Sequence, residues 1–291
     1  MTAFHVSEIW RYPVKSMRGE RLEAVEVTKG GIPFDRGWAV RDEKTQTIRG
    51  AKHLAGLMQC SARYLEGTDA GPVPHAEITL PSGDAVNTDD PKAAKAVSEV
   101  VGREVTLWPL QPKDNDDHYK LKALEKEDFE QELRFIFALE EGEPMPDLSG
   151  IPQDLLEEVT AYASPRGTYF DLFPINVLTE ASLRHFASLL PEAQIDVRRF
   201  RPNFLVADDG GLSETVEEGW VGKMVGLGTT ELAILLKTMR CVMTTREQAD
   251  LPRVPQIMRT LVRELDHCLA VYATVGKEGR VTVGDPVTVG G

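Results

Sequence analysis

The first hundred residues read as a series of short β-branched and aromatic runs separated by turn residues, and this constrains the fold more than any other feature of the chain. FHVSEIWRY (4–12), ERLEAVEVT (20–28), WAVRD (38–42), MQCSARYL (58–65) and AEITL (76–80) each alternate in part, as strands with one buried face do. Lys29-Gly30-Gly31 and Pro81-Ser82-Gly83-Asp84 supply turn chemistry between them. Many short strands at this spacing imply a small barrel or sandwich. One helix follows: Asp89 or Asp90 can cap it, Pro91 suits its first turn, and Gly102 stands where a left-handed terminal residue belongs.

Past residue 161 apolar runs return in mixed form. Thr179 is a good N-cap for a helix carrying Leu183, Phe186, Leu189 and Leu190 and closed by Pro191. FRPNFLVAD (200–208) and ELAILLK (231–237) read as strands, and a helix around 255–266 places Ile257, Met258, Leu261, Val262 and Leu265 on one face. CLAVYATV (268–275), a Gly-bearing turn and RVTVGDPVTV (280–289) read as a closing hairpin. The expected class is mostly β with some α. A β-barrel domain over 1–112 packs on a barrel-like domain over 161–291 that has flanking helices.

The segment between them, 113–160, differs in kind. Residues 111–160 hold 15 Asp/Glu and 5 Lys/Arg, which is −10 of the chain's net −13, with prolines at 144, 146 and 152. Its carboxylates show no ligand-loop spacing, so a solvated acidic linker with short helices is expected rather than a metal site. With 33 basic against 46 acidic residues, broad electrostatic binding to nucleic acid or an anionic membrane is not expected. The rest of the chain is close to neutral, which leaves room for a local basic pocket for a small anion. No apolar run approaches the roughly 18 residues of a membrane span, and the first twenty residues lack a secretory signal's apolar stretch. Three cysteines, Cys60, Cys241 and Cys268, with no short spacing, argue against disulfides and zinc and for a reducing, cytoplasmic location.

Several familiar chemistries have no motif here: no GxSxG elbow, no GxxxxGK[ST] loop, no HExxH and no strand-then-GxGxxG. His5, His53, His75, His118, His185 and His267 are scattered without metal spacing. Cys241 follows the apolar run 231–236, where a strand end opens into a loop, and Arg240 and Arg246 nearby would favour its thiolate. On spacing alone, an inert cysteine remains the simpler reading. Cys60 and Cys268 lie inside apolar runs and read as core. Lys15-Ser16, after Pro13, offers a cation and a hydroxyl suited to a phosphate oxygen, or a solvated turn. Arg36 reads as a surface partner of Asp35. Arg198-Arg199-Phe200-Arg201 is the densest basic cluster, suited to a solvated strand edge or a polyanionic ligand.

Taken in order, six segments resemble one family. They are Tyr12-Pro13-Val14-Lys15-Ser16, Phe34-Asp35-Arg36-Gly37-Trp38, Asp171-Leu172-Phe173-Pro174 with Leu178-Thr179-Glu180-Ala181-Ser182-Leu183, Arg199-Phe200-Arg201-Pro202-Asn203, Arg240-Cys241-Val242-Met243-Thr244-Thr245, and Val283-Gly284-Asp285-Pro286-Val287. The pattern is similar to that of MOSC-domain proteins with an N-terminal β-barrel domain, a group that includes the mitochondrial amidoxime-reducing component and the C-terminal part of molybdenum cofactor sulfurase. The resemblance covers nearly the whole chain apart from the acidic segment.

The resemblance implies a molybdenum–pyranopterin cofactor at the junction of the two domains. Cys241 matches the cysteine that ligates molybdenum in the reductases or carries sulfur in the sulfurase branch, and a soft thiolate suits a metal already held by dithiolene sulfurs. Lys15, Ser16 and Arg36 match positions that hold phosphate and pterin, Arg201 and Asp171 match further cofactor contacts, and Arg240 adjoins the metal ligand. Leu172 and Phe173 replace small hydroxylated residues of the mitochondrial enzymes, which alters the substrate pocket. The leading expectation is an oxidoreductase acting on small N-hydroxylated molecules. Its electrons would come from a separate ferredoxin-, flavoprotein- or cytochrome-type protein, because no cysteine cluster for an iron–sulfur centre is present. The alternatives are a persulfide carrier using Cys241 and a protein that binds or delivers the cofactor without turnover. Pyridoxal phosphate would need Lys15 as its Schiff-base lysine and is set aside.

Overall fold

The computed structural model describes residues 3–65, 71–121 and 126–290. Seven strands close into a barrel. Round the wall they run Phe204–Asp208, Ile175–Thr179, Cys268–Lys277, Thr230–Met239, Met224–Leu227, Pro286–Val289 and Phe4–Arg11, and the last pairs back to the first. Six of these staves come from the second half of the chain, and the seventh is the N-terminal strand. Ile175–Thr179 and Phe204–Asp208 are parallel, and every other pair in the wall is antiparallel.

Side-chain alternation fills the barrel. Val6, Ile9, Ile175, Val177, Phe204, Leu232, Val271 and Ala273 form one buried cluster. Intervening positions such as Leu178, Leu205 and Leu269 meet Phe186, Ile257, Met258 and Leu261 of the helices Glu180–Leu189 and Gln256–Glu264. With both faces covered, these staves carry nearly continuous apolar runs. Thr179 Oγ1 accepts from Ser182 N–H at 3.1 Å and caps the first of the two helices as expected.

Beyond residue 37 the N-terminal half forms two three-stranded antiparallel sheets, Thr47–Arg49 with Trp38–Asp42 and Val105–Pro109, and Ser61–Tyr64 with Ala76–Thr79 and Ala85–Asn87. With the helix Ala93–Val101 they enclose a second core around Trp38, Val40, Leu57, Met58, Ile78 and Val97. Gly102 ends that helix in the left-handed region, φ +67°. Met243 belongs to this second core and Cys241 packs against it, so the loop after Thr230–Met239 leaves the barrel and enters the N-terminal half.

Some boundaries differ from the sequence reading. The run 280–289 does not pair back on 268–275. A tight turn, in which Asp285 Oδ2 accepts from Thr282 N–H at 2.8 Å and Gly284 has φ +92°, splits it. Gly279–Thr282 then pairs with Ala24–Val27, and Pro286–Val289 pairs with Met224–Leu227 and the first strand. Within 200–208 the strand begins at Phe204, because Arg201 has φ +53° and Pro202 has no N–H to donate. Strand 58–65 begins at Ser61, after a 3₁₀ turn over Ala55–Gln59. The acidic segment carries helices Asp116–Tyr119, Lys126–Ile136 and Gln153–Ala161, while its residues 122–125 lie outside the described residues. Among the described residues no helix is long and apolar enough to cross a membrane.

Candidate functional site

Where the two cores meet, a pocket is lined by Arg36 from the N-terminal half and by Asp171, Asn176, Arg201, Arg240 and Cys241 from the second. Asn176 and Tyr272 stand on the outer face of the wall, alternating with the interior residues Ile175, Val177, Val271 and Ala273. Phe173 packs on Tyr272 with ring centres 5.6 Å apart and gives the pocket an aromatic side.

Arg240 ends the strand Thr230–Met239. Its backbone N–H donates to His267 C=O at 2.8 Å, its Nε to Leu269 C=O at 2.7 Å and its Nη1 to Phe200 C=O at 2.7 Å. Nη2 is buried and has no partner among the described residues. Cys241 follows, half-buried, and leads into the 3₁₀ turn Val242–Thr245. Cys60 and Cys268 are core residues, and burial pushes each of their thiols up to about 11. Cys241 is therefore the reachable thiol of the three.

Tyr12 is the platform for two cations. The Arg201 guanidinium lies 4.1 Å and the Arg36 guanidinium 4.6 Å from its ring centre. Tyr12 O–H donates to Pro202 C=O at 2.8 Å. Asp35 is not a surface partner of Arg36. Its side chain is enclosed, Oδ1 accepts from Tyr12 N–H at 2.8 Å, Oδ2 accepts from Asn203 Nδ2 at 2.9 Å, and Arg36 pairs with it directly.

The arginine cluster divides by role. Arg198 is tied to Asp196 and Asp250 near the surface. Arg199, 1% exposed, donates to Gln194, Thr244, Arg246 and Pro252 carbonyls inside the protein. Arg201 alone of the three lines the pocket, with Nη1 donating to Met17 C=O.

Lys15 sits one contact behind the lining. Its Nζ donates to Tyr169 C=O at 2.6 Å, Phe170 C=O at 3.3 Å and Asp171 Oδ1 at 3.1 Å. Asp171 is 48% exposed and lines the pocket. Burial opposes its charge, but Lys15 and Lys52 outweigh that and hold its carboxyl well below the usual carboxylate range. Ser16, with φ +69°, stands outside the lining and packs on Gly50, where an added Cβ would lie 2.6 Å from Ser16 Oγ. Five of the seven sequence-predicted residues thus share one pocket: Arg36, Asp171, Arg201, Arg240 and Cys241.

Sequence reasoning missed Lys52, Asn176 and Tyr12. Lys52 Nζ lies 3.7 Å from Asp171 Oδ1. Asn176 Nδ2 donates to Thr238 Oγ1 at 3.1 Å, while its Oδ1 is buried without a partner among the described residues. A polar residue inside the run Ile175-Asn176-Val177-Leu178 was the available signal.

Around the pocket, then, Lys15, Arg36, Lys52, Arg201 and Arg240 face the carboxylates Asp35 and Asp171. An excess of cations, one orphaned guanidinium N–H, one orphaned amide oxygen and an accessible thiol suit an anionic, N–H-bearing group that needs a soft ligand. A second depression, over Gly226, Thr230 and Glu231, has no such set.

The family model for the MOSC domain matches residues 166–288, and that for the MOSC N-terminal beta barrel domain matches residues 3–100. The chain belongs to the MOSC-domain proteins that carry the N-terminal β-barrel domain. It is 24% identical to mitochondrial amidoxime reducing component 2 of Bos taurus, over 97% of this chain and 82% of that protein, and matches the Rattus norvegicus protein to the same extent. The solved YUAD protein from Bacillus subtilis is similar over 99% of this chain and 96% of its own, with a TM-score of 0.45 and 11% identity. Family membership supports a molybdenum-cofactor-associated function.

Proposed function

We propose that this protein is a molybdenum–pyranopterin oxidoreductase that reduces small N-hydroxylated compounds with electrons from a separate protein. The observation that carries the proposal is Cys241, a reachable thiol beside the unpartnered Arg240 Nη2 in a pocket with excess positive charge. Relatives named as amidoxime reducing components support the substrate class. Among the described residues no cluster of His, Cys, Asp or Glu could hold a metal, so the protein would offer one thiolate and the cofactor the remaining donors.

When bound, the cofactor supplies the two-electron chemistry that removes oxygen from an N–OH group. Cys241 Sγ is the protein's metal ligand. Arg36 and Arg201, held on Tyr12, would face the cofactor's phosphate, and Asn176 Oδ1 and Arg240 Nη2 would accept from and donate to its ring system. Asp171 is ionised at neutral pH and, held low by Lys15 and Lys52, is too weak a base for proton transfer, so it serves as their counter-charge. Phe173 and Tyr272 favour a flat substrate. A division into domains at 1–112, 113–160 and 161–291 and a cytoplasmic location belong to the same proposal.

Metal content tests it. The wild type and Cys241→Ala, expressed in a host that makes the cofactor, should differ sharply by elemental mass spectrometry, with near one molybdenum per wild-type chain and a clear loss in the variant. Molybdenum-free wild type would sink the proposal. A species about 32 Da heavier by intact mass, absent from Cys241→Ala, would then identify a persulfide carrier. Bound molybdenum without turnover of any N-hydroxylated compound would identify a delivery protein.

A further inference from the structure

Two lysines share Asp171, and their surroundings differ. An ammonium has three N–H donors. Those of Lys15 are fully used, on the Tyr169 and Phe170 carbonyls and on Asp171. Lys52 reaches one partner among the described residues, Asp171 Oδ1 at 3.7 Å, longer than a hydrogen bond and already shared with Lys15.

The backbone of Lys52 is nevertheless fixed. Arg246, from the loop that carries Cys241, donates Nη2 to Lys52 C=O at 2.9 Å. Ala51 and Leu54 on either side are buried, and both His53 and Leu54 N–H donate to Gly50 C=O at 3.0 Å. The Lys52 side chain is 28% exposed. It is thus a lysine on a fixed backbone whose ammonium lies 3.7 Å from a carboxylate of the pocket lining, with donors to spare.

Charge points the same way. Asp35 is taken by Arg36. Asp171 satisfies one ammonium, and Lys15 holds it more closely. We propose that Lys52 is the anion-binding lysine of this pocket, its ammonium taking a phosphate or carboxylate oxygen of the bound ligand, while Lys15 is a positioning residue that holds Asp171 and the backbone at 169–170. The proposal rests on the reading of this pocket as the ligand site but not on the reductase activity. The anionic oxygen can belong to the cofactor's phosphate or to an acidic substrate, and two probes separate these sources.

Isothermal titration with inorganic pyrophosphate, on the full chain from cells that cannot make molybdenum cofactor, reads the first source. Titration of the same chain, and of chain from a cofactor-competent host, with 4-carboxybenzamidoxime against neutral benzamidoxime reads the second. Lys52→Gln should weaken one of the two anions about tenfold and leave the neutral probe unchanged, and Lys52→Arg should restore most of the loss. Loss with pyrophosphate assigns Lys52 to phosphate, and loss with the carboxylated probe assigns it to substrate selection. Circular dichroism checks that each variant is folded. Lys15→Gln should lower the melting temperature more than Lys52→Gln does. The proposal is overturned if wild type binds neither anion, if Lys52→Gln changes both affinities less than twofold, or if Lys15→Gln rather than Lys52→Gln loses the anion. Turnover enters none of these readings, so failure of the reductase assignment leaves them interpretable.

Discussion

The barrel wall and the rim beside it follow opposite rules. In the wall, backbone groups are paired in ladders and alternate side chains fill an interior whose members Val6, Ile9, Ile175, Val177 and Phe204 have no exposed surface. On the rim, Ser16, Phe34, Arg36 and Arg201 all have positive φ, between +53° and +69°, against the single residue Ala270 at a register shift of the wall, and cations outnumber the carboxylates beside them. Left-handed backbone at non-glycine residues persists only where the surroundings over-determine it. The wall supplies that determination: Asn203, one residue before the stave Phe204–Asp208, donates to Asp35, which holds Arg36. The difference teaches where stability and function reside, in adjacent residues of the same sequence segments.

Arg199 and Arg201 give the sharpest test, because two positions separate an arginine locked on backbone carbonyls from a rim arginine. Arg199→Met leaves the buried Thr244 carbonyl and the part-buried Gln194, Arg246 and Pro252 carbonyls without their partner and should cost about 1–3 kcal/mol in urea unfolding. Arg201→Met removes a cation with no carboxylate of its own and should change stability by less than about 1 kcal/mol. The comparison fails if Arg201→Met is the costlier of the two.

Glu217, on the 3₁₀ turn Val216–Trp220, is a buried carboxyl packed against the wall. Its side chain is fully buried, Oε2 accepts from Thr179 Oγ1 at 2.6 Å and also from Ser182 Oγ, and Oε1 has no partner among the described residues. Burial raises its pKa, with the two hydroxyls opposing. A carboxyl whose folded pKa exceeds its unfolded value stabilises the fold below the unfolded pKa, about 4.3, and loses that contribution as pH rises toward the folded pKa. Glu217→Gln keeps the shape without the charge. It should therefore stabilise the protein at pH 8 by roughly 1–3 kcal/mol, with the gain shrinking as pH falls toward 4. A gain independent of pH would mean that Glu217 is neutral throughout this range.

Much of this was legible in the residues. The short strands, the Thr179 cap and the Gly102 terminus all follow from local chemistry, and Cys241, Arg36, Asp171, Arg201 and Arg240 meet in one pocket. What local chemistry does not encode is pairing at a distance. Nothing in RVTVGDPVTV says that its first half pairs with Ala24–Val27, far back in the chain. Lys52 is silent for the same reason, since its role arises where the loop 50–54 lands on Asp171. Asn176 stands on the outer face of its stave, but both faces are covered and Ile175–Thr179 is buried throughout, so no alternation sets it apart and its polarity was the one mark it carried. The arginine cluster could not be divided by composition, because Arg199 and Arg201 differ in φ and in the direction of their side chains rather than in type.

The smallest expected effects test whether rim strain is real. Ser16 sits at φ +69° and Gly102 at φ +67°, so two residues of different type share one backbone conformation. Gly102 is at an open helix end with nothing within 4 Å of an added Cβ. Gly102→Ala therefore reports the conformational cost alone and should destabilise by about 1 kcal/mol. Ser16→Gly is the reverse change at the rim. It relieves that cost but adds freedom to the unfolded chain, so the net gain should fall between about 0 and 1 kcal/mol in thermal unfolding. A loss larger than 1 kcal/mol would show that the Ser16 side chain, packed on Gly50, stabilises the rim, and the contrast with the wall would then be one of charge rather than of backbone strain.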